Sequence, residues 1–156
     1  MSGPRSLLIM PANRADMLTK AIGYGADALV FDLEDSVPVD EKPKARELAR
    51  DFIGRYKGKT LLHVRVNALQ TGLLEADLDA IVVDGLTGVR LPKTESADTV
   101  RTVDRIITEL EQKRGLKPGA IGIGPSLESA KGVWFAYDIC AASKRITSIT
   151  CGTAED

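Results

Sequence analysis

Short apolar runs alternate along the chain with longer stretches in which hydrophobic residues recur at helical spacing. The short runs have the length of buried strands, and the longer stretches place their apolar residues on one side of a helix. The pattern predicts strands at residues 5–10, 28–33, 61–66, 87–91, 120–127 and 146–151. It predicts helices at residues 16–23, 41–55, 75–84, 96–114 and 129–142. Asn13 is placed to cap the first of these helices, and Gly23 and Gly25 to end it.

Nearly continuous apolar strands separated by helices are typical of an α/β fold with a parallel sheet covered by helices. Two architectures fit this pattern, a doubly wound open sheet and a (β/α)8 TIM barrel. Polar residues follow almost every predicted strand, which favours the barrel, because an open sheet gathers its ligand groups at one switch point. A whole barrel needs roughly 250 residues. We therefore expect residues 1–156 to form a single incomplete TIM-barrel domain, truncated after about six strands, with the C-terminal part absent.

Composition and charge are those of an ordinary globular domain. The chain is 44% hydrophobic and 28% charged, with a formal net charge of −1, which indicates neither disorder nor a nucleic-acid partner. No apolar run reaches the roughly 18 residues of a membrane span, and the N-terminus lacks the features of a signal peptide. We expect a cytoplasmic protein without a membrane partner. Two cysteines, Cys140 and Cys151, are too few for a disulfide framework and are expected to be buried free thiols.

An acidic cluster follows the second predicted strand. Asp32 and Glu34 lie on one strand face because side chains alternate with a period of two, and Asp35 follows them. Like charges this close repel each other unless a cation or an arginine lies nearby. The cluster could hold a hydrated divalent cation, position water or pair with arginines. A surface acidic turn leading into the next helix is the alternative.

His63, Arg65 and Asn67 share one face of the third predicted strand. An arginine in a hydrophobic strand is costly unless its guanidinium meets an anion. That anion is either a substrate carboxylate or a carboxylate of the second strand, Asp32 or Glu34. His63 is the only histidine and lies deeper along the strand, so we expect a core residue. One histidine also argues against histidine-rich metal sites and histidine-containing triads.

Lys93 and Glu95 follow the fourth predicted strand. A Schiff-base lysine needs desolvation to lower its pKa, and the nearby Glu95 favours an ion pair instead.

Two more carboxylates, Glu128 and Asp156, follow the fifth and sixth predicted strands. Neighbouring strands lie about 4.8 Å apart, so these side chains can converge on one ion. Magnesium is commonly held by two carboxylates together with waters and substrate oxygens. The alternative is two unrelated loop carboxylates.

Six segments resemble, in order, the citrate lyase beta-subunit-like family of the HpcH/HpaI aldolase superfamily, which also contains malyl-CoA lyases. They are RSLLIMPANR (5–14), GADALVFDLEDSV (25–37), VRVN (64–67), LPK (91–93), LESAKG (127–132) and GTAED (152–156). Each segment alone is weak, but six in family order are specific. Ala12 stands where glycine is usual, Leu127 stands where isoleucine is usual, and Thr153 adds variation in the last segment. None of these departures removes a charged group.

The resemblance implies a TIM barrel, a Mg2+ cofactor and a carbon–carbon lyase. Such a lyase cleaves a 3-hydroxy-3-carboxyl acyl thioester, of the citryl-, malyl- or citramalyl-CoA type, into a keto acid and an acyl thioester. It also implies a homo-oligomer, a trimer or a hexamer. The implied roles are Arg65 for the substrate carboxylate, Glu128 for metal and substrate, Asp156 for metal, Asn13 and Arg14 for substrate, and Asp32, Glu34 and Asp35 for water-mediated contacts to the metal.

Two other functions stay open at this point. A class II aldolase that acts on free hydroxy-keto acids is expected to have a histidine near the acidic cluster of the second strand, and the sequence has none there. A non-catalytic barrel fragment that serves as a scaffold is the other alternative.

Overall fold

A parallel sheet of six strands forms the centre of the protein in a computed structural model that describes residues 3–152. The strands are β1 (Leu7–Pro11), β2 (Ala28–Asp32), β3 (Leu61–Arg65), β4 (Gly88–Leu91), β5 (Gly122–Leu127) and β6 (Thr150–Cys151). Their order in the sheet is β1-β2-β3-β4-β5-β6, with every pair parallel. Each strand therefore pairs with the next one along the chain, without the reversal of order that marks a doubly wound sheet. The prediction of a barrel-type α/β fold is confirmed.

Six helices connect the strands. They are α1 (Ala15–Ala21), α2 (Lys42–Tyr56), α3 (Leu74–Ile81), α4 (Ala97–Lys113), α5 (Ala130–Trp134) and α6 (Ala136–Ala141). Short 3-10 turns are found at Ile22–Tyr24, Val39–Glu41 and Leu69–Thr71. The sequence pattern located α1 to α4 individually and predicted one helix where α5 and α6 are found. None of the described helices is both long enough and apolar enough to cross a membrane.

The main core lies between the sheet and the helices. Phe31 on β2 and Val64 on β3 are fully buried and belong to one hydrophobic cluster with Ala49 and Ile53 of α2. Phe31 also meets Phe52 of α2 edge to face, with 5.2 Å between the ring centroids. Residues at alternate positions of the strands therefore face the helices, as the period of two requires.

The opposite face of the sheet carries bulky polar side chains that pack over glycines. A Cβ at Gly88 would lie 2.8 Å from His63 Nδ1, and a Cβ at Gly124 would lie 2.5 Å from Arg90 Nη1. A side chain at either position would therefore have to displace the polar side chain that lies over it. His63 is buried, as predicted, and burial together with the nearby Arg90 charge lowers its pKa from 6.5 to about 4.

The prediction of a cap for the first helix was wrong. Arg14, not Asn13, occupies the N-cap position of α1, and no side chain caps the helix there. The amide of Asn13 instead donates a hydrogen bond to Glu41 Oε2 at 2.6 Å. The predicted stop is confirmed at Gly25, which has a φ of 73° and follows the 3-10 turn.

The two predictions nearest the end of the chain were too long. The helix expected at 129–142 is divided into α5 and α6 at Phe135, whose backbone leaves the helical region at ψ 15°. The strand expected at 146–151 is regular only at Thr150–Cys151, although Ile146 forms an isolated bridge to Ile123. The strand is interrupted where Ser148 accepts a hydrogen bond from Arg90 Nη1 at 2.8 Å.

Both cysteines are free thiols, as predicted, but neither is buried. Cys140 is half-buried on α6 and Cys151 is exposed on β6. The apolar sequence around Cys151 led to the wrong expectation, because β6 has only two residues and both are exposed.

Candidate functional site

A cavity of about 460 Å3 opens at the carboxyl ends of the strands. It is lined by residues that follow β2, β3, β4 and β5, namely Glu34, Asp35, Asn67, Ala68, Gln70, Thr71, Lys93, Glu95, Glu128 and Ser129. This is the end of a barrel-type sheet at which ligands bind.

Asp32 and Arg65 lie next to Glu34, which lines this cavity, but are not themselves among its lining residues. They are the last residues of β2 and β3 and are partners in the strand register. Arg65 donates from Nε to Asp32 Oδ1 at 2.7 Å and from Nη2 to Oδ2 at 2.8 Å. Of the partners left open by the sequence, Asp32 is therefore the carboxylate that accepts two hydrogen bonds from the arginine.

Asp32 also shapes the acidic turn that follows it. Its carboxylate accepts the backbone N–H of Glu34 at 2.9 Å, that of Ser36 at 3.1 Å, and the Ser36 hydroxyl. Burial pushes the pKa of Asp32 up, but hydrogen bonds from Arg65 and Ser36 outweigh burial, so the pKa lies below its ordinary value. A fully buried carboxylate thus stays charged and organises the turn.

Glu34 is the second buried carboxylate of this turn. Its Oε2 lies 3.3 Å from Arg65 Nη1, and its Oε1 lies 3.1 Å from Lys93 Nζ. Burial raises the pKa of Glu34, although Lys93 and Arg65 both oppose the rise. Oε2 is buried without a hydrogen-bond partner among the residues that the structure describes.

A buried lysine holds the backbone of this turn by hydrogen bonds. Lys42, the first residue of α2, donates from Nζ to the carbonyl oxygens of Leu33 at 2.7 Å and of Glu34 at 3.0 Å. The amide of Asn67 also donates to the Leu33 carbonyl at 3.0 Å and to Asp77 at 2.7 Å. Burial lowers the pKa of Lys42. Lys42 was not predicted as a site residue, because a lysine at a helix start has the pattern of an exposed charge.

Lys93 joins the two acidic parts of the cavity. Its Nζ lies 3.1 Å from Glu34 and 3.4 Å from Asp35, and its backbone N–H donates to Glu128 Oε2 at 3.1 Å. The hydrogen bond to Glu34 raises the pKa of Lys93. The predicted ion pair between Lys93 and Glu95 was wrong.

Glu95 lines the same cavity but has other partners than Lys93. It accepts the hydroxyl hydrogen bond of Ser129 at 2.7 Å and pairs with Lys131 at 3.2 Å. The two residues separate because Lys93 has a left-handed backbone, with a φ of 48°, which the sequence does not reveal.

Glu128 is half-buried directly after β5, at the mouth of the cavity. Arg65 contacts Glu34, Glu34 contacts Lys93, and Lys93 contacts Glu128, so these four residues belong to one site. The chain after β6 approaches the same place, since a Cβ at Gly152 would lie 3.9 Å from Glu128 Cγ. Asp156, the predicted second metal ligand, lies outside the described residues.

Two predicted substrate-binding residues lie apart from this cavity. Asn13 is engaged with Glu41, and the Arg14 guanidinium pairs with Asp16 at 3.3 Å on the surface. Neither lines the cavity.

Negative charge exceeds positive charge at the site. Its four carboxylates, Asp32, Glu34, Asp35 and Glu128, are balanced by only two contacting cations, Arg65 and Lys93. Within residues 3–152, no three acidic, histidine or cysteine side chains form a complete metal cluster. Magnesium, however, prefers one or two carboxylates and completes its shell with waters and substrate oxygens. The excess charge, the carboxylate oxygens and Glu34 Oε2, which accepts no hydrogen bond among the described residues, fit such a cation.

The chain is similar in sequence to one family of known proteins. A sequence model of the family described as HpcH/HpaI aldolase/citrate lyase matches residues 5–156. The chain is 40% identical over 154 residues to the citrate lyase subunit beta of Escherichia coli K12, covering 97% of this chain and 50% of the relative. It is 32% identical over 155 residues to the L-malyl-CoA/beta-methylmalyl-CoA lyase of Rhodobacter capsulatus, covering 97% and 48%.

A solved structure is similar to this chain in both fold and sequence. The citrate lyase beta subunit of M. tuberculosis, complexed with oxaloacetate and magnesium, superposes with a TM-score of 0.70 at 31% identity. The match covers 95% of this chain and 57% of that structure. The chain thus spans about half the length of the curated relatives it matches.

Proposed function

Because the chain belongs to the HpcH/HpaI aldolase/citrate lyase family, we propose that it carries the active site of a magnesium-dependent carbon–carbon lyase. The proposed reaction splits a 3-hydroxy-3-carboxyl acyl thioester, of the citryl-, malyl- or citramalyl-CoA type, into a keto acid and an acyl thioester. One observation carries this proposal: Glu34, Lys93 and Glu128 line a single cavity with an excess of carboxylates at the carboxyl ends of the strands.

Glu128 and Asp156 are the proposed magnesium ligands, with Glu34 and Asp35 reaching the ion through water. The free space beside Glu128 and the position of Gly152, where a Cβ would lie 3.9 Å from Glu128 Cγ, support this assignment, because Gly152 closely precedes Asp156 in the sequence. Bound magnesium acts as a Lewis acid toward the oxygens of the hydroxy acid.

The residues of the chain supply a fixed electrostatic frame for the reaction. A base takes the proton of the substrate hydroxyl, the carbon–carbon bond breaks, and its electron pair passes to the thioester fragment as an enolate. The enolate then takes up a proton to give the acyl thioester. The second product is the keto acid. Arg65 cannot turn away, since Asp32 holds both Nε and Nη2, so its Nη1 presents a permanent positive charge toward the acidic cluster and the substrate carboxylate. Preorganised charge of this kind is often the largest catalytic contribution.

The remaining expectations belong to the whole protein. We propose that it binds its substrate as a CoA thioester, in keeping with the name of the malyl-CoA lyase relative. We also propose that Asn13 and Arg14, which do not line the cavity, contact a part of the substrate that extends outside it. A cytoplasmic homo-oligomer, a trimer or a hexamer, is likewise proposed.

The test is an assay of the full-length protein with malyl-, citramalyl- and citryl-CoA. We expect cleavage of one of them in the presence of magnesium and loss of activity with EDTA or after Glu128→Ala. Activity that survives both treatments contradicts the metal role. Aldol cleavage of a free hydroxy-keto acid, with no cleavage of thioesters, favours a class II aldolase instead. A folded protein that binds neither magnesium nor a keto acid favours a scaffold.

A further inference from the structure

Lys93 is the one cation among the described residues that line the cavity. Its side chain is 48% exposed, so the ammonium reaches both the carboxylates and the open space. Arg65 differs in that two of its donor groups are committed to Asp32, and its side chain is only 23% exposed. Positive charge that an incoming ligand can contact directly therefore comes mainly from Lys93.

The backbone of Lys93 indicates a functional constraint. Of the non-glycine residues that the structure describes, Lys93 alone has a positive φ, at 48°. A Cβ disfavours this conformation, and such strain persists where the surrounding structure determines it. Here the next residue is fixed, because Thr94 donates from its N–H to the Ser126 carbonyl at 3.0 Å and from its hydroxyl to the Leu91 carbonyl at 2.9 Å.

The strained turn does not stabilise the folded protein. Ion pairs of a half-exposed lysine contribute little to the free energy of folding, and glycine would adopt the same φ without strain. The turn instead gives residue 93 two simultaneous contacts in the cavity. Its N–H holds Glu128 on one side, and its ammonium extends toward Glu34 and Asp35 on the other.

We propose that Lys93 binds a carboxylate of the organic acid in this cavity. The inference rests on the proposed function, since it needs a divalent cation at Glu128 and an organic acid beside it. A bound dication neutralises the carboxylates that hold the ammonium in its absence. The flexible lysine stem then allows the ammonium to form a charge-assisted hydrogen bond to the acid. Lys93 and Arg65 would thus provide one mobile and one fixed cation for the substrate.

The experiment is isothermal titration calorimetry on the full chain, first with magnesium alone and then with oxaloacetate in saturating magnesium. In Lys93→Met, we expect magnesium to bind at least as tightly as in the wild type, because a positive charge has been removed from beside the site. Oxaloacetate is expected to bind about tenfold more weakly, as suits the loss of one charged hydrogen bond. Lys93→Arg keeps the charge and should recover most of the affinity for oxaloacetate.

Lys93→Gly provides a second variant, because glycine relieves the strained backbone and keeps the N–H that holds Glu128. We expect it to lose oxaloacetate affinity as Lys93→Met does. Unchanged oxaloacetate affinity in both variants overturns the proposal, and so does an equal loss of magnesium and oxaloacetate, since Lys93 would then only shape the carboxylates. If the wild type binds both ligands and the Lys93 variants bind oxaloacetate equally well, the proposal for Lys93 is overturned and the proposed lyase function is not. A wild-type protein that binds neither ligand overturns both.

Discussion

Asp32 and Arg65, at the ends of two neighbouring strands, form a two-pronged ion pair with N–O distances of 2.7 and 2.8 Å. Asp32 is fully buried, and Arg65 keeps 23% of its side chain exposed. Because the same carboxylate accepts the N–H groups of Glu34 and Ser36, the pair fixes the arginine and the acidic turn in one arrangement.

Asp32→Asn should destabilise the protein strongly. The amide removes the carboxylate that accepts two hydrogen bonds from the guanidinium, so that Glu34 is its nearest remaining counter-ion, and weakens the hydrogen bonds that form the turn. We expect a loss of about 3 kcal/mol in the free energy of unfolding, the lower end of the range for breaking a buried ion pair. Urea unfolding without magnesium measures this loss. Glu109→Gln breaks the exposed pair with Arg105 and serves as the control, with a several-fold smaller effect.

The free energy of unfolding should decrease as the pH is lowered, because His63 is buried in its neutral form. Burial and the Arg90 charge lower its pKa from 6.5 to about 4. The unfolded chain takes up a proton near the ordinary value, whereas the folded protein takes it up only near the lowered one. The stability due to the neutral ring is therefore complete above pH 6.5 and is lost as the pH falls toward 4. A shift of this size corresponds to about 3 kcal/mol.

Urea unfolding at about pH 7 and about pH 4.5 tests this effect, with His63→Gln as the matched variant. Carboxylates also titrate in this range, so the informative quantity is the difference between the two proteins in their pH dependence. We expect His63→Gln to lose much less stability than the wild type on acidification. Parallel pH profiles for the two proteins would contradict the prediction.

The fold and the members of the site differ in how far the sequence predicts them. Periodicity located the strands. Polar residues at the ends of successive strands favoured a barrel over a doubly wound sheet, and in a barrel each strand pairs with the next one along the chain. The partner of Lys93 was mispredicted, since proximity in sequence favoured Glu95 whereas the left-handed backbone directs the side chain to Glu34. Lys42 was missed for a similar reason, as its two carbonyl partners belong to a turn whose path depends on tertiary structure.

Glu128→Gln should separate metal binding from stability. Glu128 is half-buried, and its one hydrogen bond within the described residues is to the N–H of Lys93, which a glutamine oxygen can still accept. Removal of the charge should weaken magnesium binding by about tenfold or more, because Mg2+ depends on its few carboxylate ligands. Calorimetry on the full chain measures the affinity, and thermal unfolding without metal should be nearly unchanged.

Glu95→Gln is the control for that experiment. Glu95 lines the same cavity but is engaged with Ser129 and Lys131, so magnesium affinity should change little. Equal losses in the two variants would mean that magnesium responds only to the overall charge of the cavity, and Glu128 would no longer be assigned as a ligand.

Gly132→Ala should disturb the turn that holds Lys93. A Cβ at Gly132 would lie 2.7 Å from the backbone carbonyl oxygen of Thr94, so α5 must move away or the turn must shift. We expect destabilisation of about 1–3 kcal/mol, as for overpacking of a closely packed site. Gly54→Ala, on the exposed side of α2 with no atom within 4 Å of the added Cβ, should instead stabilise by about 0.5–1 kcal/mol. Opposite signs for these two helical glycines in urea unfolding would show that contact with Thr94, not helix propensity, requires glycine at residue 132.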